Sequence, residues 1–260
     1  MDKSLLVRLC GFPATLIHGD PFVLDRWLWL RSKLPETRNA ERLLDVGCGS
    51  GAFSIGAALR GYTTLGLSWE ERNLRVARER AQLCGAQRAE FEVFDIRRLG
   101  ERSDLIAAFD LVIACEVIEH VSDDRKLLRD MAACLRPGGR LLLTTPNYLY
   151  KPITVDHAGP FRDLEDGHHV RRGYSAAMLR ELCEQGQLIV SEFAHCGGLL
   201  SQNLCGLQIK LARLHSLLAW GATLPLRAIP PLADRWLTDA LHWPHYSICL
   251  EAYKPRFSQH

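Results

Sequence analysis

Short apolar runs alternate along the chain with segments whose apolar residues recur every three or four positions, and glycine-bearing turns separate the two patterns. The first segment predicts a helix over 22–34. Phe22, Leu24, Trp27, Leu28 and Leu30 give it a broad apolar face, and Pro35 follows its end. "RLLDVG" (42–47) reads as a buried strand, "GCGSG" as a turn, and "FSIGAALRG" as a helix closed by Gly61. "TTLGLS" is a second strand, 70–85 a helix with a charged outer face, and "AEFEVFDI" a third strand. "FDLVIACEV" is a fourth strand, 125–135 a helix, and "PGG" a turn into a fifth strand, "RLLLTTPN". Alternation of this kind predicts an α/β fold with a parallel sheet covered on both faces.

The second half is less regular. Residues 147–174 carry Pro152, Gly159, Pro160, Gly167 and Gly173 and read as a long loop, followed by a helix over 175–186 with Ser175 as its cap. "LIVSEFAH" and "YSICLEAYK" supply a sixth and a seventh strand, with an insertion at 197–245 between them. In it, Leu204, Leu207, Leu211, Leu214 and Leu218 keep the spacing of one amphipathic helix. Pro225, Pro230 and Pro231 read as breakers, and Trp236, Leu237, Ala240 and Leu241 suggest a short last helix. No linker divides the chain, so 1–260 is expected to be a single domain, with 1–40 as an N-terminal helical lid over a core at 41–147.

Composition narrows the function classes. The chain has 260 residues, 47% hydrophobic and 24% charged, which suits a full globular core. A formal net charge of +2 implies no strong pull on nucleic acid. The nine cysteines are scattered with no CxxC pair, which suits free thiols better than a disulfide framework or a zinc site. Arg8 interrupts the first apolar run, so no signal-peptide core is expected. The longest charge-free piece of the C-terminal part, 214–226, is short of the ~20 residues that span a bilayer. A cytoplasmic location follows as the expectation, with the inner membrane face as a peripheral site.

Gly47, Gly49 and Gly51 crowd into the first strand–helix turn, directly behind Asp45. Glycines there let the backbone approach a ligand closely. Gly47, Gly49 and Ala52 fit the loose dinucleotide fingerprint, so the turn alone leaves a dinucleotide and S-adenosylmethionine (SAM) both open.

"LLDVGCGSGAF" resembles the first motif of the class I SAM-dependent methyltransferases, and three later pieces resemble that family's motifs in order: "FEVFDI", "FDLVIACEVIEHV" and "LRPGGRLLLTTPN". The resemblance implies a Rossmann-like seven-stranded methyltransferase sheet with a helical insertion between strands 6 and 7. It implies that Gly47, Cys48 and Gly49 line the methionine and ribose portions of the cofactor, with Asp45 meeting its ammonium. Backbone N–H groups of the turn would receive its carboxylate. Asp95, with Ile96 beside it, would accept from the adenine amino group; its alternative role is a helix cap. Cys115 and Glu116 fall next to the reacting centre. The family usually places an acid at the end of strand two to grip the ribose. This chain has Ser68 there, with Trp69 next to it as a cover for the adenine face.

Methyl transfer needs positioning above all, and a general base where the acceptor is a hydroxyl. His120 in "EVIEHV", which resembles the ubiquinone-biosynthesis type of O-methyltransferase, is the first candidate base; a structural histidine is the alternative. The long loop adds His157 and His169 as catalytic candidates, together with Asp156 and His168, while Arg162, Arg171 and Arg172 could meet an anionic acceptor. Adjacent histidines in a loop are nonspecific, and no metal is expected. The expected reaction is methyl transfer to a small molecule at oxygen, on a lipid-linked, glycan or quinone-like acceptor. N- or C-methylation and a catalytically silent SAM-binding protein are the alternatives. The apolar insertion with Lys210, Arg213, Arg227 and Arg235 reads as core packing, a lid, a dimer contact or a peripheral membrane contact.

Overall fold

The computed structural model describes residues 5–17, 20–154, 158–161 and 164–256. Seven strands form one sheet: β1 (Arg42–Val46), β2 (Thr63–Ser68), β3 (Ala89–Val93), β4 (Phe109–Cys115), β5 (Leu135–Pro146), β6 (Ile189–Cys196) and β7 (Ser247–Tyr253). Their order across the sheet is β3-β2-β1-β4-β5-β7-β6. Strands β1 to β5 run parallel, and β7 lies antiparallel between β5 and β6. The chain order reverses between β1 and β4, so their carboxyl ends flank the crevice where such sheets bind ligands.

The strands are apolar runs because both faces are covered. Leu44, Val46, Val112, Ala114, Leu141 and Leu143 face one layer, packed with α6 (Asp124–Cys134) and α7 (Ala176–Gln185). Their neighbours Leu43, Leu111, Ile113 and Leu142 face the other layer. There they meet Leu16 of α2 (Phe12–Ile17), Trp27 and Leu30 of α3 (Phe22–Lys33), and Ala57 of α4 (Ala52–Ala58). Helix α5 (Glu71–Cys84) closes the β3 end and stops at Gly85, whose φ of +70° fits a left-handed C-cap. A first turn of helix, α1 (Leu5–Cys10), reaches α5 through Arg8 and Glu79 at 3.1 Å.

Four expectations need correction. The "PGG" turn is a bulge within β5: the pairing with β4 shifts between Phe109↔Leu135 and Leu111↔Arg140. The leucine repeat of the insertion is two helices, α8 (Leu199–Ala212) and α9 (Ser216–Thr223). Pro230 starts α10 (Pro230–Ala240), because a missing N–H is harmless in a helix's first turn. Helices α2 and α3 pack on the sheet, with Trp27 edge-on to Phe12 at 5.2 Å, and no described residue of 1–40 lines the cofactor crevice, so α1 to α3 form no lid over it.

The glycine turn is fixed by sterics. Gly51 has φ +79°, and a methyl group on it would lie 2.8 Å from both Ala77 Cβ and Phe91 Cε1. Gly51→Ala is therefore expected to cost about 2–4 kcal/mol through strain and overpacking. Urea unfolding reads this directly, and an unchanged midpoint would contradict it.

Candidate active site

The site starts at the end of β1. Gly47 and Cys48 both donate to the Leu67 carbonyl, at 3.0 and 2.9 Å, and Gly51 donates to Cys48 at 2.9 Å. These bonds fold the chain back on the end of β2. Space opens at Gly49, where a Cβ would meet nothing within 4 Å, while Val117 closes over Gly47.

A cavity of about 240 Å³ lies over this turn. Following the strand order, Asp95, Ile96 and Arg97 line it past β3, Ser68, Trp69 and Asn73 past β2, and Glu116, Val117, His120 and Val121 past β4. A larger cleft of about 590 Å³ runs along the edge strand β6 between α3 and α10, away from the strands' carboxyl ends and the glycine turn. Chemistry at an α/β crevice belongs to the first.

Asp95 is held from both sides. Its carboxylate caps the turn at 96–101 by accepting from the Arg97 N–H at 3.1 Å, and it takes a bidentate pair from the Arg97 guanidinium, Nε to Oδ1 at 2.8 Å and Nη2 to Oδ2 at 2.6 Å. Hydrogen bonds from Arg97 keep Asp95 below the usual carboxylate range. Arg97 also reaches Glu165 at 2.8 Å, which ties the loop after β5 across the mouth of the cavity. Both the cap and the crevice position foreseen for Asp95 are thus present in one residue.

Past β4 the backbone turns sharply at Glu116, with φ +54°. Its side chain accepts from Thr144 Oγ1 and Ser247 Oγ, each at 3.0 Å, and pairs with the buried guanidinium of Arg26 at 3.3 Å. Arg26 in turn meets Asp20 at 2.9 Å. Glu119 has no solvent exposure; Oε2 accepts from Thr145 at 3.0 Å, and Oε1 has no hydrogen-bond partner. Burial, with the charge of Glu116 beside it, pushes the Glu119 carboxyl well up. His120 extends from the same turn to line the cavity, and burial holds its imidazole below the ordinary range.

The returning loop clamps this segment. Val170 N donates to the Glu119 carbonyl at 2.9 Å, and Tyr174 donates to Asp124 at 2.6 Å. Arg171 holds the Val121 and Ser122 carbonyls at 2.8 and 2.7 Å and pairs with Asp124. His169 thereby comes edge-on to His120, ring centroids 4.7 Å apart. Donor atoms of Glu119, His120 and His169 lie within 4.8 Å of one another, the one group among the described residues with types and spacing that could hold a divalent cation.

Of the sequence candidates, Gly47, Gly49, Ser68, Trp69, Asp95, Ile96, Glu116 and His120 line the cavity. Asp45, Cys48 and Cys115 do not. Asp45 sits behind the turn, 1% exposed, and accepts from Ser54 Oγ at 2.6 Å. Cys48 packs with Ile55 and Leu74, and burial pushes the Cys115 thiol up. The Gly47 and Cys48 amides are committed to Leu67 and are not open to a carboxylate. Asp156, His157 and Arg162 lie outside the described residues. Arg171 and Arg172 bind backbone carbonyls of the protein. Sequence reasoning missed Asn73, Arg97 and Glu165. Arg97 had a local signal, two residues after Asp95; Asn73 and Glu165 had none.

The cavity fits SAM. Glycine backbone forms its floor, an exposed indole and a carboxylate stand at the β2–β3 side where an adenosine would lie, and Glu116, held by Arg26, stands at the β4 side where the sulfonium and ammonium would lie. Ser68, with Asn73 nearby, replaces the missing ribose acid by neutral polar groups.

Comparison with known proteins agrees. A family model described as "Methyltransferase domain" matches residues 23–191. The ubiquinone biosynthesis O-methyltransferase of Idiomarina loihiensis is 36% identical over 107 residues, 41% of this chain and 43% of that protein. The chain therefore matches less than half the length of this curated relative. Phosphoethanolamine N-methyltransferase 2 of Haemonchus contortus, solved with phosphomonomethylethanolamine and S-adenosylhomocysteine, superposes with TM-score 0.63 at 18% identity, covering 98% of this chain and 59% of that one. A SAM-dependent methyltransferase from Mesorhizobium loti gives 0.57 at 21%, covering 88% and 97%. At such identities the two structures speak for the fold alone.

Asp45 makes a pH signature. Burial raises its carboxyl from the ordinary 3.8 to about 7. As pH rises from 4 to 7 the unfolded chain gives up this proton first, so the folded state holds one more proton and stability falls by up to about 1.4 kcal/mol per pH unit. Above pH 7 the loss levels off. Asp45→Asn removes this component, so the wild-type curve minus the variant curve, from thermal unfolding at stepped pH, should slope downward between pH 4 and 7. A flat or rising difference would contradict the assignment.

Proposed function

The chain belongs to the methyltransferase-domain family, with the class I SAM-dependent fold, and we propose that it transfers a methyl group from SAM to a hydroxyl of a small, largely apolar acceptor of the lipid-linked or quinone-like kind. The observation that carries the reading is the position of His120. It lines the cofactor cavity just past β4, next to the strand end that faces the reacting centre, and its Nδ1 is buried without a hydrogen-bond partner. The match to ubiquinone biosynthesis O-methyltransferases over 41% of the chain supports oxygen as the methylated atom.

Bound SAM supplies an electrophilic methyl group for in-line displacement. The protein's residues do the remaining work. Trp69, Asp95 and Ile96 hold the adenosine side, while the glycine turn and Glu116 orient the methionine side toward β4. His120 is kept neutral by burial, so it has a lone pair to receive the hydroxyl proton as the oxygen attacks. The Arg97–Glu165 bridge and the loop behind it shield the crevice from water. Behind Glu116, Phe22, Tyr150 and Tyr246 form a buried aromatic cluster beside Arg26, with Phe22 stacked on Tyr246 at 4.5 Å, which backs this side of the site.

The test combines SAM with a panel of catechols and prenylated phenols and follows release of S-adenosylhomocysteine. His120→Ala is expected to fold, to bind SAM as the wild type does, and to lose on the order of a hundredfold in turnover. Unchanged turnover would remove His120 from the mechanism, and methylation of amines in preference to every hydroxyl would move the reaction to nitrogen.

A further inference from the structure

The helical insertion between β6 and β7 lies beyond the family-matched residues, which end at 191. Its helices pack on one another yet leave large apolar side chains in water. Leu214 is 76% exposed, Leu232 86% and Trp236 73%, and Leu217, Leu218 and Ile229 are about half exposed. On α10 the pattern is directional. Pro230, Asp234 and Thr238 form the buried stripe, and Ile229, Leu232 and Trp236 project from the opposite side. Buried polar groups anchor the inner side: Asp234 receives the N–H groups of Leu200 and Ser201 at 2.7 and 3.0 Å, and Arg227 binds Gln208 and the Ile17 carbonyl.

Charge says what fits the outer side. Between 197 and 245 the only Lys, Arg, Asp and Glu are Lys210, Arg213, Arg227, Asp234, Arg235 and Asp239. Arg227 and Asp234 are turned inward, so Lys210, Arg213 and Arg235 face water against a single acid, Asp239, itself paired with His245 at 3.1 Å. Exposed leucines and a tryptophan interleaved with basic side chains match a surface with an apolar interior and anionic headgroups. No helix among the described residues is long and apolar enough to cross a membrane, so the contact is peripheral. We propose that the α8–α10 insertion docks the protein on an anionic lipid bilayer surface, with Leu214, Leu232 and Trp236 entering the interface and Lys210, Arg213 and Arg235 meeting the headgroups. The proposal stands independently of the acceptor.

Co-sedimentation of the whole protein with phosphatidylcholine vesicles, with and without phosphatidylglycerol, tests it. Wild type should pellet with the anionic vesicles and be released by high salt. Lys210→Glu/Arg213→Glu/Arg235→Glu should weaken binding by about fivefold or more per site. Leu214→Ser/Leu232→Ser/Trp236→Ser should abolish it while circular dichroism and SAM binding stay unchanged, since all three side chains project into water. The basic-residue variant keeps the test decisive if the apolar one misfolds. Absence of pelleting with either vesicle, or binding that neither variant weakens, overturns the proposal. A dimer in light scattering that the apolar variant converts to monomer also overturns it, because a second copy then covers the face.

Discussion

Glu116 and Glu119 leave the end of β4 together, and both carboxyl groups are largely or wholly buried; polar groups so buried need partners, and meeting that need organises the site. Glu116 draws Arg26 from α3, Thr144 from β5 and Ser247 from β7. Glu119 takes Thr145 from β5 and lends its carbonyl to Val170 of the returning loop. Four separate parts of the chain therefore converge on one turn. Removing a partner from such a buried ion pair typically costs about 3–5 kcal/mol, which is why the turn cannot relax independently of its surroundings.

The same convergence ties structure to function. The turn that buries Glu119 aims His120 into the cavity, and the loop that seals Glu119 also delivers Glu165 to Arg97 across the cavity mouth. On both sides of the crevice the acid is already paired with an arginine, Glu116 with Arg26 on the β4 side and Asp95 with Arg97 on the β3 side. Under the proposed SAM site, Asp95 would meet the adenine with a carboxylate oriented by Arg97, and with Ser68 in place of an acid more of the grip would fall to that side.

Much of this was legible in the sequence, because strand-end residues are fixed by local pattern. A glycine turn after a buried strand, an acid after β3 and a histidine after β4 each occupy a position that the sheet topology carries to one crevice. What was hidden depends on long-range pairing. Asp45 reads as a ligand by its place before the turn, yet the turn folds over it and gives it Ser54 instead. Arg26 is an ordinary helix residue until α3 docks and buries it against Glu116. Glu165 and His169 lie in a segment with no periodicity, and long-range bonds, Arg171 to the Val121 and Ser122 carbonyls and Val170 to the Glu119 carbonyl, bring them to the site. The prolines of the insertion were misread because the same residue stops one helix and starts the next.

The central claim is that the crevice at β1–β4 takes SAM, with Asp95 as an anchor. Calorimetric titration of SAM into the wild type and into Asp95→Ala, with NAD as the competing cofactor, tests it most directly. The structure predicts saturable binding of one SAM per chain, no binding of NAD, and affinity for SAM at least about tenfold weaker in the folded variant, the loss of roughly one charge-assisted hydrogen bond. Binding of NAD without SAM, or equal SAM affinity in both proteins, would contradict it.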